Sequence, residues 1–209
     1  DTLEPIRFFG TSSVIFKITD GTNYFALKCF TTQLYNRWEY LQKVQEKLQS
    51  LNKDWIVPFE IYINELEVED ASKKIEYCNI VLMPWIEGER LSDLVKKYCT
   101  SIKDQRKREE LTASFTALIH NQFNQPFSHG DITPENIIVT PSGKMILIDH
   151  DSFTFENWEY TTGQAGWTYA YKHPYRSANK PAFHADHFFF LTLAISLIAL
   201  ELNAALYDQ

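Results

Sequence analysis

The sequence predicts a two-lobed α+β chain, with a small β-rich lobe, a short hinge and a mainly helical lobe. Strand-like apolar runs separated by turn residues dominate the first eighty or so positions, and apolar residues recur at helical spacing after residue 90. With 209 residues, 44% of them hydrophobic, the chain can build two small cores. We therefore assign residues 1–83 to the β-rich lobe, 84–90 to the hinge and 91–209 to the helical lobe.

The β-rich lobe is predicted to begin with a hairpin. Two apolar runs at residues 14–18 and 24–30 flank Asp20 and Gly21, and Asp-Gly is a favourable turn for connecting antiparallel strands. The other elements expected in this lobe are a helix at about residues 33–50, with Leu34, Trp38, Leu41 and Leu48 on one face, and strands at 55–66 and 77–83.

The helical lobe is predicted to contain three helices. The first covers about residues 91–98, and the second, at about 103–123, has a face of apolar side chains. The run at 188–200 (FFFLTLAISLIAL) is shorter than the roughly 20 residues of a membrane span. We expect it to form a helix buried in the core and expect no membrane association.

Charge and cysteine content exclude several classes of protein. A net charge of −7 argues against nucleic-acid binding, which needs a concentrated basic face. Cys29, Cys78 and Cys99 lack metal-ligand spacing and favour a reduced, cytoplasmic setting. No signal peptide is visible.

The chemistry-bearing residues occur in a fixed order along the chain. Lys28 ends an Ala-Leu-Lys triplet inside a strand, and the loop HGDITPEN contains Asp131 and Asn136. Asp149 follows the apolar strand MILI, thirteen residues after Asn136. Asn136 and Asp149 offer hard oxygen ligands suited to Mg²⁺, and Lys28 offers a cation for phosphates.

These features together resemble the protein-kinase-like superfamily across essentially the whole chain. FALK, ending at Lys28, is similar to the third-strand lysine motif, and HGDITPEN to the catalytic loop; DHD, starting at Asp149, occupies the place of DFG. Residues 81–88 and 171–176 narrow the resemblance to a bacterial kinase-like group. Its members are typically encoded beside a metal-dependent Ser/Thr phosphatase and a von Willebrand A-type protein.

The resemblance implies a role for each residue of the motifs. Lys28 would hold the α- and β-phosphates of ATP, and Asp131 would accept or orient the proton of the acceptor hydroxyl. Asn136 and Asp149 would bind Mg²⁺ and, through it, the nucleotide. His129 would be structural, and the buried Asp186 would anchor the backbone of the catalytic loop.

Two further segments are expected to contact the nucleotide. In the hinge, Met83 would lie at the entrance to the inner pocket, while the carbonyl of Pro84 and the amide of Ile86 would bind the adenine edge. The phosphate loop has one glycine, Gly10, where kinases usually have two or three, so the hydroxyls of Ser12 and Ser13 are expected to contribute.

Other positions depart from the family pattern. The helix residue that would pair with Lys28 stays open among Glu39, Gln45 and Glu46. HGD in place of HRD resembles small-molecule phosphotransferases and removes the arginine that grips an activation-loop phosphate. The aromatic loop at residues 153–171 is expected to form the acceptor-side surface.

We therefore expect an ATP- and Mg²⁺-dependent kinase that phosphorylates Ser or Thr of a protein partner. The partner would be the co-encoded phosphatase or von Willebrand A-type protein. Two alternatives stay open: a small-molecule kinase, which the HGD loop favours, and a nucleotide-binding pseudokinase, which the poor glycine loop favours.

Overall fold

The chain divides into two compact units. A computed structural model describes residues 6–10, 12–32, 34–69, 71–100, 104–156, 158 and 185–208. The first unit consists of Asp1–Lys53 and Val57–Ile86, and the second of Asp54–Ile56 and Glu87–Gln209. The first is built around one sheet and the second mainly from helices, so the predicted α+β, kinase-like fold class is confirmed.

The first unit is organised by an antiparallel sheet of five strands in the order β1-β2-β3-β5-β4. The strands are β1 (Arg7–Phe9), β2 (Ser13–Thr19), β3 (Tyr24–Phe30), β4 (Glu60–Glu69) and β5 (Ile75–Pro84). The predicted hairpin joins β2 and β3, which pair from Thr19↔Tyr24 to Ser13↔Phe30. Its turn is held by Asp20, which accepts hydrogen bonds from the N–H groups of Thr22 and Asn23.

The helix of this unit, α1 (Arg37–Leu51), begins later than the sequence pattern predicted. Asn36 and Asn52 flank it in the left-handed backbone region, with φ of 58° and 44°, which asparagine tolerates better than most residues. Tyr40, Leu41 and Val44 form its buried stripe. The strand predicted at residue 55 begins only at Glu60.

The second unit contains three α-helices among its described residues, together with short strands. The helices are α2 (Leu91–Cys99), α3 (Gln105–Gln122) and α4 (Ala185–Leu202). The strands are β6 (Glu89–Arg90), β7 (Phe127–Ser128), β8 (Ile137–Val139), β9 (Met145–Leu147) and β10 (Thr154–Phe155). β6, β8 and β9 form one sheet, and β7 pairs with β10.

Helix α4 corrects one prediction. The sequence predicted a helix buried in the core, and Phe189, Phe190 and Leu193 are indeed buried. However, Leu191 and Ile195, four residues apart on another side of α4, are exposed. Hydrophobicity all round a helix predicts burial but not which side is covered. Among the described residues, no helix is long and apolar enough to cross a membrane.

Candidate active site

Lys28 lies on one face of the first unit's sheet, which we call the lysine face. Directly paired residues in an antiparallel sheet share a face, so the register defines its members. They are Ile15, Lys28 and Val81 in one row, and Lys17, Ala26 and Met83 in the next. Lys28, Val81 and Met83 are all buried, and only 5% of Lys28 is exposed. A buried ammonium on an apolar face suits an anionic ligand.

An arginine that the sequence did not single out contacts the same aromatic ring as Lys28. The Lys28 Nζ lies 4.9 Å from the centroid of the Phe30 ring, and the Arg37 guanidinium lies 4.0 Å from the same centroid. Arg37 is buried and also donates to the Thr32 carbonyl. Sequence reasoning missed it because a charged residue at the start of a helix is usually solvated.

Lys17 is a second cation that the sequence reasoning missed. Its Nζ lies 4.5 Å from the ring centroid of Tyr24 and 4.6 Å from that of Trp85, within cation–π range. The signal was available, because a hairpin that turns at Asp20 and Gly21 in this register puts Lys17 on the face of Lys28.

The three candidate partners of Lys28 occupy different environments on α1. Glu39 is exposed and forms an ion pair of 3.5 Å with Lys43. The Gln45 Nε2 donates to the carbonyl of Phe59 at 3.0 Å, which ties α1 to the segment before β4. Glu46 is exposed.

The hinge offers backbone groups suited to a purine edge. The Trp85 N–H donates to the Tyr24 carbonyl at 2.9 Å, so the polar backbone groups of Trp85 point toward β3. Successive residues of a strand point their backbone groups to opposite sides, so the carbonyl of Pro84, the last residue of β5, points away from β3. Among the described residues, the Ile86 N–H has no hydrogen-bond partner. The hinge therefore offers one acceptor at Pro84 and one donor at Ile86.

Backbone hydrogen bonds engage the residues that are predicted to contact phosphate. The Gly10 N–H donates to the Ser13 carbonyl at 2.8 Å, and the Ser12 carbonyl accepts from the Thr31 N–H at 2.9 Å. The amide of Gly10 is thus engaged within the loop. The hydroxyls of Ser12 and Ser13 are further donors at the predicted positions.

In the second unit, Asp186 holds the backbone of the HGD loop. Its carboxylate, at the first turn of α4, accepts the His129 N–H at 2.6 Å and the Gly130 N–H at 2.8 Å. The Gln122 Nε2 donates to it at 3.3 Å. Burial raises the pKa of Asp186, while the His129 ring and these donors act in the opposite direction. The anchoring role predicted for Asp186 is confirmed.

His129 is fully buried beneath the loop. Its Nε2 donates to the Ile148 carbonyl at 2.9 Å, and its ring lies 4.9 Å from the Phe153 ring. A side chain enclosed in this way fixes the loop against the strand end that precedes Asp149, in agreement with the structural role expected for it.

Asp131 and Asn136 lie together in this loop. The Asn136 Nδ2 donates to the Asp131 carbonyl at 3.0 Å and to the Asp131 Oδ2 at 3.3 Å. Both partners are acceptors, so the orientation of the amide follows from chemistry. The Asn136 Oδ1 is left without a hydrogen bond within the described residues. The Asn136 carbonyl also accepts the Ile148 N–H at 3.0 Å, which places Asn136 beside the residue preceding Asp149.

Asp149 adopts a left-handed backbone conformation with φ of 73°. Its Oδ1 accepts the Asp151 N–H at 3.4 Å, while the intervening His150 is buried and stacks on Phe153. Positive φ is uncommon outside glycine and often marks functional sites.

These residues fit Mg²⁺. The described residues contain no cluster of three or more His, Cys, Asp or Glu side chains able to hold a metal by themselves. Mg²⁺ is instead commonly bound by one or two protein oxygens together with phosphate oxygens and water. The Asp149 carboxylate and the Asn136 Oδ1 are hard oxygen ligands of that kind.

Packing explains why the middle residue of HGD is glycine. Gly130 has φ of +84°, and a Cβ added there would lie 2.1 Å from the Ser152 carbonyl oxygen. No larger residue fits while the HGD loop packs against the turn that follows Asp149. Residues 171–176 and most of the predicted acceptor loop at 153–171 lie outside the described residues.

A comparison with protein-family models identifies the kind of domain. The chain matches the family model described as "ABC1 atypical kinase-like domain" over residues 36–159. That range contains the hinge, the HGD loop and Asp149, and begins after Lys28 and Gly10. No curated protein matches the chain.

Proposed function

The chain belongs to the ABC1 atypical kinase-like domain family, and on this premise we propose that it is an ATP- and Mg²⁺-dependent phosphotransferase. The observation that carries the proposal is the pairing of Asp131 with Asn136. The Asn136 amide donates to Asp131 and so leaves its oxygen available to a cation beside Asp149. A buried carboxylate fixes the backbone of the same loop.

The chemistry follows from what each side chain offers. Asp131 accepts or orients the proton of the acceptor hydroxyl, whose oxygen attacks the γ-phosphorus as the bond to the β-phosphate oxygen breaks. When bound, Mg²⁺ would neutralise charge on the phosphates. Asn136 and Asp149 hold that cation, and Lys28 binds the α- and β-phosphates. The Pro84 carbonyl and the Ile86 N–H bind adenine.

A protein hydroxyl of Ser or Thr is the acceptor we favour. The HGD loop was the feature that favoured a small-molecule acceptor, but Gly130 is explained by its contact with the Ser152 carbonyl. The resemblance to the bacterial group makes a co-encoded phosphatase or von Willebrand A-type protein the first acceptors to test. The three cysteines are free, which supports a reducing compartment such as the cytoplasm.

The engagement of Gly10 with Ser13 favours a second candidate, a pseudokinase that binds nucleotide without transferring phosphate. The kinase and the pseudokinase differ in whether phosphate is transferred to an acceptor. We expect the protein to transfer label from γ-labelled ATP to an acceptor in the presence of Mg²⁺, and Asp131→Asn to lower this transfer by about 10²-fold or more.

Nucleotide affinity should be nearly unchanged in Asp131→Asn, because the side chain contacts the acceptor and its replacement can still accept from Asn136 Nδ2. Glu110→Gln is the matched control, because Glu110 forms an exposed ion pair with Arg106 on α3. This variant should keep full activity. Nucleotide binding without transfer by the parent protein to any protein or small acceptor would favour the pseudokinase. Equal transfer by Asp131→Asn would refute the assignment of Asp131.

A further inference from the structure

The sheet of the first unit has a second face, opposite the lysine face, which we call the outer face. The register defines it as two complete rows across all five strands. The first row is Arg7, Phe16, Leu27, Leu82 and Glu60, and the second is Phe9, Val14, Cys29, Ile80 and Tyr62. Beyond these rows, Ile18 and Phe25 extend it on one side and Leu66, Val68, Glu76 and Cys78 on the other.

The outer face remains accessible although it is almost entirely apolar. Lys28, Val81 and Met83 are buried on the lysine face. On the outer face, Phe9 is 73% exposed, Val68 42% and Ile18 37%, and the neighbouring apolar side chains are mostly half-buried. A contiguous apolar sheet face of this extent usually marks an interface.

Charge on the outer face lies at its margins and is asymmetric. The first row has Arg7 at the β1 edge and Glu60 at the β4 edge, with three apolar residues between them. Glu76 adds a second negative charge on the Glu60 side of the face. A positive edge, an apolar middle and a negative edge make this row complementary to a reversed copy of itself.

We infer that the outer face is a dimerisation surface that packs on the outer face of a second copy of the chain. The copies are related by a twofold axis parallel to the strands. Such an axis exchanges the two edges of the sheet, so Arg7 of each copy faces Glu60 of the other. The central residues Leu27 and Cys29 then lie near the axis, each facing its own equivalent.

The size of the face suits this partner. β2 and β3 each have seven residues, which span about 24 Å, and five strands cover about 20 Å. Because β1 has only three residues, the flat area of the face is at most about 500 Å². Contact over the whole face therefore falls below the roughly 800 Å² per partner of a standard interface and suits a dimer that dissociates at micromolar concentration. In this arrangement, the two rows place no like charges of the two copies opposite each other, although the chain carries a net charge of −7.

The first test is the oligomeric state. We expect sedimentation equilibrium of the whole chain to show a monomer–dimer equilibrium at micromolar concentration. Ile18→Glu should weaken the dimer by about 100-fold or more, since each dimer carries two buried charges. Phe9→Glu, at a more exposed position that faces Tyr62 of the other copy, provides a second variant if Ile18→Glu does not fold. The matched control is Ile195→Glu on α4, where 58% of the side chain is exposed.

Two further measurements test the orientation. Arg7→Glu and Glu60→Arg should each weaken the dimer, and the double variant Arg7→Glu/Glu60→Arg should restore it, because both edges change sign together. A short bis-maleimide should link two chains through Cys29. The link should be lost in Cys29→Ser and kept in Cys99→Ser.

Several results would overturn the inference. A chain that stays monomeric throughout, or a dimer that survives both outer-face substitutions, would exclude the outer face as the interface. A dimer dissociated by Ile195→Glu would move the interface to α4. A monomer that floats with phosphatidylcholine vesicles, and loses this on Ile18→Glu, would assign the face to a lipid surface instead. Failure of both the charge exchange and the Cys29 link would refute the twofold arrangement.

Discussion

Replacing Asp186 by alanine is expected to release the HGD loop from α4. The carboxylate accepts the backbone N–H groups of His129 and Gly130 and the side-chain amide of Gln122, all in a buried setting. The alanine side chain offers no hydrogen-bond acceptor and is too small to fill the space that the carboxylate occupied. The two backbone donors would therefore lose their partners within the protein interior.

The magnitude follows from these hydrogen bonds. A buried donor without an acceptor costs about 1–3 kcal/mol, so two such donors cost about 2–6 kcal/mol. Because Asp186 is buried, removing its carboxylate also relieves the desolvation cost of a buried charge. We therefore expect the lower part of that range, about 2–4 kcal/mol. In a chain of this size, this lowers the melting temperature by roughly 4–16 °C.

Thermal unfolding and hydrogen exchange together provide the assay. Asp186→Ala should lower the melting temperature and speed exchange of the His129 and Gly130 amides, and Asp186→Asn, which keeps one acceptor oxygen, should have about half the effect. Glu110→Ala, at an exposed ion pair on α3, is the control and should change the free energy of unfolding by less than about 0.5 kcal/mol. Unchanged exchange at both amides in Asp186→Ala would refute the reasoning.

Two other predictions concern the same region. Gly130→Ala should destabilise the protein by about 2 kcal/mol or more, since the new Cβ meets the carbonyl of the neighbouring turn and φ is positive; Gly21→Ala, also at positive φ but with no atom within 4 Å, should cost less in the same thermal melt. Equal losses would show that backbone strain alone is responsible. ATP with Mg²⁺ at about 100 times Kd should stabilise the protein by roughly 2.7 kcal/mol. Asp149→Asn should lose the Mg²⁺-dependent part of this shift and Asp151→Asn should keep it, and the reverse result would move the metal ligand to Asp151.

Local chemistry explains why several elements were predictable. The Asp-Gly turn and the apolar runs beside it predicted the hairpin, and helical spacing predicted α1, α2 and α3 to within a few residues. The strand predicted from residue 55 was placed too early. Ile56, Val57 and Phe59 are buried but do not belong to a strand. A run of buried residues gives the same apolar sequence pattern whether or not it forms a strand.

Long-range contacts explain what the sequence pattern could not predict. The apolar composition of α4 predicted burial, but the helix has an exposed side, because coverage depends on neighbours that local spacing does not encode. Arg37 was equally unpredictable, since its burial depends on the position of Phe30. The roles proposed for Lys28, Asp131, Asn136 and Asp149 stay predictions for the assays above.

The sequence by itself determined the α+β class and the order of the motifs that contain Lys28, Asp131, Asn136 and Asp149, because these depend on residue type and on spacing along the chain. Only the tertiary structure decided that Gly130 must be glycine and that Asn136 turns its amide toward Asp131. It also brought the apolar residues of five strands onto one accessible face. The physical reason is shared by all three: each depends on distances between particular atoms, and strand register and loop packing set those distances rather than residue type or spacing along the chain.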